Sequence, residues 1–200
     1  MTQPVTIVGM GMSPADLTET QKDLVRAADL LVGGRRHLAA FPEFGGRTRV
    51  VDRHLKALAT DLQGRGPEEK VVVLASGDPL FYGIGSYLIR ALGRDQVVFS
   101  PNVSAVAAAF ARIKSPWQDA RILSLHGREL TDDMLAELAD HPKWALFTDG
   151  KHTPAWLAGR LLRAGLEEFD FWILSRMGTP DERVVCLDLA SANGIEAAEP

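Results

Sequence analysis

The chain has 200 residues, of which 46% are hydrophobic and 24% charged, with a formal net charge of -4 and a pI near 5.7. This balance excludes a disordered chain, leaves room for one large core or two smaller ones, and argues against a nucleic-acid binder that lives on phosphate contacts. No apolar run approaches the ~20 residues of a membrane helix, and Met1-Thr2-Gln3-Pro4 lacks the regions of a signal peptide, so no membrane partner is expected and the cytoplasm is the expected location.

Residues 5–8 read as a strand that runs into Gly9-Met10-Gly11-Met12-Ser13-Pro14. Thr18 with Gln21 three positions later is a capping-box pattern, opening a helix to about Ala28. Residues 29–34 look like a second buried strand, closed by Gly33 and Gly34 and followed by Arg35, Arg36 and His37, three side chains able to donate hydrogen bonds or carry positive charge. One more strand and helix follow over 47–51 and 55–62, then a polar loop over 63–70.

Val71-Val72-Val73-Leu74 is a β-branched run with no polar alternation, the pattern of a strand buried on both faces of a parallel sheet. It stops at Ser76-Gly77-Asp78-Pro79. Glycine there allows a close backbone approach, Asp78 has the chemistry of an N-cap, and Pro79 suits the first position of a helix expected over 80–92. Strand, tight loop and helix is where open α/β sheets hold ligands; it is equally the form of an ordinary capped turn. Residues 97–99 read as a strand, and Ser104 as the cap of an alanine-rich helix to Ile113.

Residues 114–119 have linker composition, dividing the chain into domains at 1–114 and 119–200. The alternation then restarts: a strand over 121–125, His126-Gly127-Arg128, a helix over 131–139, a strand over 143–147, and a helix from Pro154 to about Ala164. Strands over 169–174 and 183–187 are joined as a hairpin, and Cys186 reads as a small buried apolar residue in the second of them. A single cysteine allows no internal disulfide, and the five histidines lack paired ligand spacing, so no metal is expected. The fold class is α/β, with largely parallel sheets in each half and one antiparallel piece.

In this order, Val8-Gly9-Met10-Gly11 before Leu17-Thr18, Ala28-Asp29 before Gly33-Gly34, Ser76-Gly77-Asp78-Pro79, Ser104-Ala105, and Gly178-Thr179-Pro180-Asp181-Glu182-Arg183-Val184 resemble the tetrapyrrole (corrin/porphyrin) methyltransferases over nearly the whole chain. Gly33-Gly34-Arg35-Arg36-His37-Leu38, Leu123-Ser124-Leu125-His126-Gly127-Arg128 and Phe147-Thr148-Asp149-Gly150 resemble the branch that methylates C5 of a late precorrin in cobalamin biosynthesis. The resemblance implies two α/β domains of the tetrapyrrole methylase type with a ligand cleft between them, S-adenosylmethionine as methyl donor, a precorrin substrate and a homodimer. It implies that Gly9, Gly11, Ser76, Gly77, Asp78, Phe81, Ser104, Ala105, Thr148, Gly178 and Thr179 line the cofactor. The chemistry of the first loop agrees, since an ionised Asp78 accepts hydrogen bonds from ribose hydroxyls or faces the cationic half of the ligand. Two places depart from the family: Gly11-Met12-Ser13 stands where it continues Gly-Pro-Gly, and Ser175 stands where relatives often carry Glu.

Methyl transfer from a sulfonium needs no covalent nucleophile, and no convincing Cys-His or Ser-His-Asp set is present. An acidic protein that binds a polycarboxylate must gather positive charge locally, which makes Arg35, Arg36, His37, Arg128 and Lys151 the candidate substrate contacts. Lys151 and His152 read equally well as solvated surface groups. His126 has two readings, a proton acceptor after transfer and a hydrogen-bonded structural histidine. Other acceptors on the same fold, as in a diphthine synthase or an rRNA ribose methyltransferase, remain alternatives, as does a non-catalytic nucleotide-binding module; net acidity counts against RNA. The stretch 188–200 ends on a proline where relatives continue into another strand. The resemblance therefore implies that this chain performs C5 methylation alone, either as part of a fusion or beside a partner that methylates C15 and decarboxylates.

Overall fold

The computed structural model describes residues 2–195. In chain order its elements are β1 (Val5–Gly9), α1 (Glu19–Arg26), β2 (Leu30–Gly33), α2 (Arg35–Leu38), β3 (Arg47–Val50), α3 (Leu55–Gln63), β4 (Val71–Ala75), α4 (Gly85–Leu92), β5 (Val97–Ser100) and α5 (Ala105–Ile113), then β6 (Arg121–Ser124), α6 (Asp132–Asp140), β7 (Trp144–Phe147), α7 (Pro154–Arg163), β8 (Phe171–Ser175), β9 (Arg183–Leu187) and α8 (Leu189–Asn193). The chain forms two compact units, 1–105 and 106–200; the linker-like stretch 114–119 lies within the second.

The first unit is built on a five-stranded, wholly parallel sheet of order β3-β2-β4-β1-β5. Every residue of β4 is buried, as its unbroken apolar run requires of a central parallel strand. The two-residue period of the strands sorts their side chains into two cores. Val5, Ile7, Val71 and Val73 pack with Leu58, Leu62 and Leu88, while Val8, Val72, Leu74 and Leu31 pack with Leu17 and Val25. The capping box that opens α1 is formed: Gln21 N–H donates to Thr18 Oγ1 at 3.2 Å and Thr18 N–H to Gln21 Oε1 at 3.0 Å. Buried Gln21 also donates from Nε2 to Ser100 Oγ (3.1 Å) and the Pro101 carbonyl (3.0 Å), tying the helix start to the end of β5.

One helix boundary differs from expectation. The apolar run after Pro79 does not start a helix at Leu80; α4 begins at Gly85, and Asp78 is not its N-cap. Asp78 Oδ1 instead accepts the N–H of Leu80 (2.8 Å), Tyr82 takes φ +53, and the chain coils round the Pro79 carbonyl. A Cβ on Gly83 or Gly85 would stand 2.5 or 2.6 Å from that oxygen, so these two glycines permit a tight loop where a helix was expected.

In the second unit β6 and β7 pair in parallel, and β8 and β9 form a separate antiparallel hairpin. The core is Leu125, Leu130, Leu135, Leu138, Leu157, Leu161 and Leu189. Cys186 is exposed, contrary to its apolar neighbourhood, and so are Val184 and Val185. A two-stranded ribbon has no third strand beside it, so an apolar run alone does not bury it. Residues 188–194 are a capped helix and no extension of the sheet: Asp188 Oδ1 accepts the N–H of Ser191 (2.7 Å), and Leu189 and Ala192 are buried. Gly159 of α7 admits this helix, since a Cβ there would lie 2.5 Å from Asn193 Oδ1. The last residues of the stretch 188–200, 196–200, lie outside the described residues.

Candidate functional site

β1 and β4 are neighbours whose following connections run opposite ways, to β2 and to β5, which makes their carboxyl ends the switch point where open α/β sheets hold ligands. Their loops are joined there by a pair of glycine hydrogen bonds, Gly77 N–H to Gly11 O (3.0 Å) and Gly11 N–H to Gly77 O (3.4 Å). Both glycines have positive φ, +63 at Gly11 and +56 at Gly77, a conformation costly for residues with a Cβ. A Cβ on Gly9 would fall on the Gly77 carbonyl and 2.9 Å from Asn102 N. One on Gly77 would touch Ser104 Cα and Val103 O at 3.6 Å and Ala105 N at 3.7 Å. Gly9, Gly11, Gly77, Ser104 and Ala105, expected to share a ligand, therefore share one patch of backbone.

Two residues that the sequence reading passed over brace this patch. Asn102 Nδ2 donates to the carbonyls of Gly9 and Asp16, both at 3.1 Å. Asp16 Oδ2 accepts the N–H groups of Met12 (2.7 Å) and Ser13 (3.1 Å), so the stretch that departs from Gly-Pro-Gly is held by a carboxylate. Asp78 is half-buried; its Oδ2 takes no bond among the described residues. Phe81, also half-buried, sits edge-on to Tyr82 with centroids 5.1 Å apart, and Leu80 and Tyr82 add an exposed apolar rim.

Exposed Ser76 links this patch to α2. Arg36 Nη2 donates to Ser76 Oγ at 2.9 Å, and His37 Nε2 lies 3.1 Å from the same oxygen. His37 is half-buried, and burial, helped by the Arg36 charge, lowers its pKa below the ordinary 6.5; the Leu74 carbonyl pulls weakly the other way. Two side chains expected as tetrapyrrole contacts thus engage a residue expected to line the cofactor. Arg35 is exposed.

In the second unit, Asp149 is the organiser. Its Oδ1 accepts from Lys151 N (2.9 Å), His152 N (2.6 Å) and His152 Nδ1 (3.1 Å), and its Oδ2 from Gly127 N (3.3 Å). These donors, the His152 N–H foremost, hold the Asp149 carboxyl far below the ordinary carboxylate range. One carboxylate thereby fastens the loop after β6, with His126 and Arg128, to the loop after β7, with Thr148 and Lys151. His152 is buried and edge-on to Trp156 at 4.7 Å, so its surface reading is corrected: His152 is the hydrogen-bonded structural histidine. His126 has its ring at the surface, and its backbone N–H donates to Ser124 Oγ at 3.4 Å. Arg128 and Lys151 are exposed, with Lys151 Nζ 4.0 Å from Glu129. Gly178 and Thr179 belong to a different network. Gly178 N–H donates to Glu182 Oε2 (2.7 Å), and Glu182 takes a two-pronged bond from Arg112 (2.7 and 2.9 Å), which lowers its pKa from 4.5 to about 2.

Residues 4–193 match the family model of the Tetrapyrrole (Corrin/Porphyrin) Methylases. The chain belongs to this family. It is 36% identical over 190 residues to a cobalt-precorrin-7 C(5)-methyltransferase of Salmonella typhimurium, covering 94% of this chain and 92% of that protein. It is 31% identical to a decarboxylating precorrin-6Y C(5,15)-methyltransferase of Sinorhizobium sp, covering 90% of this chain but 44% of that longer protein. In fold it resembles the precorrin-6Y methylase of Archaeoglobus fulgidus, with a TM-score of 0.72, 24% identity and coverage of 98% and 93% of the two chains. It also resembles a cobalt precorrin-4 methyltransferase, with a TM-score of 0.79, 22% identity and coverage of 95% and 87%. In this tetrapyrrole methylase the candidate residues of the first unit form one patch, whereas those of the second hang on two separate carboxylates, Asp149 and Glu182. Beside its place in the motif Phe147-Thr148-Asp149-Gly150, the signal for Asp149 was an Asp before a Gly, which reads first as a turn.

Proposed function

We propose that this chain transfers a methyl group from S-adenosylmethionine to C5 of a late precorrin on the route to cobalamin. The observation that carries the reading is the glycine-built patch at the ends of β1, β4 and β5, in a chain 36% identical to a C(5)-methyltransferase across nearly its full length. The patch fits such a cofactor. At Gly77 main chain packs against the main chain of 103–105 with no side chain between, and Asp78 keeps one carboxylate oxygen for a hydroxyl or ammonium donor. Bound S-adenosylmethionine supplies an electrophilic methyl group on a sulfonium.

The residues of the chain then act by holding and orienting. Placing a nucleophilic meso carbon in line with a methyl group is worth up to ~7–11 kcal/mol without any covalent step. Arg35, Arg36, Arg128 and Lys151 are exposed donors suited to acetate and propionate carboxylates, the arginines in two-pronged fashion. His126 is the surface imidazole assigned to receive a proton after transfer. Thr148, Gly178 and Thr179 are assigned to the cofactor on family resemblance alone. A cytoplasmic homodimer, and a separate or fused activity that methylates C15 and decarboxylates, complete the reading; no described helix is long and apolar enough to cross a membrane. Mass spectrometry of the purified protein tests the cofactor. Release of S-adenosylhomocysteine supports the reading, and release of only a nucleotide or NAD counts against it.

A further inference from the structure

We infer that Asn102 is a positioning residue for the cofactor: the NH2 half of its side-chain amide holds the Gly9 carbonyl, and through it the glycine patch, in the shape that takes the ligand. The partners of the amide fix its orientation. The carbonyl oxygens of Gly9 and Asp16, each 3.1 Å from Nδ2, can only accept, and the Val103 N–H, 2.7 Å from Oδ1, can only donate. A flipped amide would set oxygen against two carbonyl oxygens, so the nitrogen faces Gly9 and Asp16. A third acceptor, Gln21 Oε1, lies 3.3 Å from Nδ2. Gln21 is oriented in the same way, since its Oε1 accepts the Thr18 N–H and its Nε2 donates to the Pro101 carbonyl.

The peptide between Gly9 and Met10 is gripped from both sides. Its carbonyl takes the Asn102 amide, and its N–H, on Met10, donates to the Ala75 carbonyl at the end of β4 (2.8 Å). The residues that follow Asn102, Val103 to Ala105, are those that a Cβ on Gly77 would touch. Asn102 therefore ties the loop after β1 to the loop after β5, and the paired bonds of Gly11 and Gly77 carry the tie to the loop after β4. A carboxylate in place of the amide would face the same three oxygens with no hydrogen to offer, whereas a protonated carboxyl offers one. Those oxygens favour the protonated form, as does the Asp16 carboxylate that accepts from the N–H groups of Met12 and Ser13, so Asn102→Asp introduces a carboxyl with a raised pKa and makes the patch respond to pH. The ligand half of this inference rests on the proposed function, and the tie between the loops does not.

NMR of the ligand-free protein reads the tie: between about pH 5 and about pH 8 the amide signals of Met10 and Gly11 in Asn102→Asp show a titration step that the wild type lacks. Calorimetry with S-adenosylhomocysteine reads the consequence, each affinity taken as a ratio to wild type at the same pH while circular dichroism monitors folding. Asn102→Ala weakens binding by about 3- to 10-fold at every pH; Asn102→Asp weakens it by more than that at about pH 8 and regains most of the affinity at about pH 5. A folded Asn102→Ala that binds as wild type does, or an Asn102→Asp ratio that stays flat with pH, overturns the inference. Wild-type protein that binds no S-adenosylhomocysteine overturns the proposed function instead, and the titration step at Met10 and Gly11 then decides alone whether Asn102 holds the patch.

Discussion

The two units build loop positions by opposite means. In the first, five parallel strands bring main chain against main chain, and the positions of Gly9, Gly11 and Gly77 are set by the absence of side chains. In the second, two short sheets leave the loops to be gathered by carboxylates, Asp149 over backbone N–H groups from two loops and Glu182 over Gly178 and Arg112. Steric exclusion tolerates no added methyl group but is indifferent to pH. A carboxylate hub tolerates methyl groups nearby but depends on its own charge.

The largest expected effect is that of Gly9→Ala. Its methyl group would meet the Gly77 carbonyl and Asn102 N, both backbone and unable to swing aside, so the cost reaches or exceeds the ~1–3 kcal/mol of ordinary overpacking. Chemical denaturation measures it, and a variant as stable as wild type would break the steric half of the comparison. Next comes Asp149→Ala, which leaves the N–H groups of Gly127, Lys151 and His152 without their acceptor. Their amide hydrogen exchange should quicken by about tenfold or more, while the amides of Gly11 and Gly77 keep their protection.

Acid separates the units further. Glu182 has its pKa lowered from 4.5 to about 2, so its contribution is complete above 4.5 and lost as pH falls towards 2; Asp149 acts in the same direction. His37 in the first unit has a pKa below 6.5, so the unfolded chain takes up that proton first and stability begins to fall below pH 6.5. All four tryptophans, Trp117, Trp144, Trp156 and Trp172, lie in the second unit, so their fluorescence should hold steady to about pH 4.5 while amides of the first unit already loosen. The smallest effect is that of Gly150→Ala. Nothing lies within 4 Å of its added Cβ, and stability should stay within about ±0.5 kcal/mol of wild type.

The same contrast explains what could be read in advance. Val71 to Ala75 and the loop at Ser76-Gly77 were legible because an apolar run and a glycine each have few structural meanings. Gly83 and Gly85 were passed over because the residues around them are apolar enough for a helix, and only the approach to the Pro79 carbonyl shows why they are glycines. Asp149 and Glu182 were illegible as hubs. Each holds main-chain N–H groups, which leave no mark on composition, and the Arg112 partner of Glu182 is 70 positions away in the chain. Cys186 misled for a related reason: burial depends on what covers a strand, and an apolar run does not report that.

The central claim is transfer of one methyl group to C5. Incubating the chain with a late precorrin and S-adenosylmethionine labelled with carbon-13 in its methyl group, then locating the label by NMR, tests it most directly. A single labelled methyl group on C5, with C15 and the acetate side chains unchanged, is the predicted result; no transfer, or a label on any other carbon, would contradict the account.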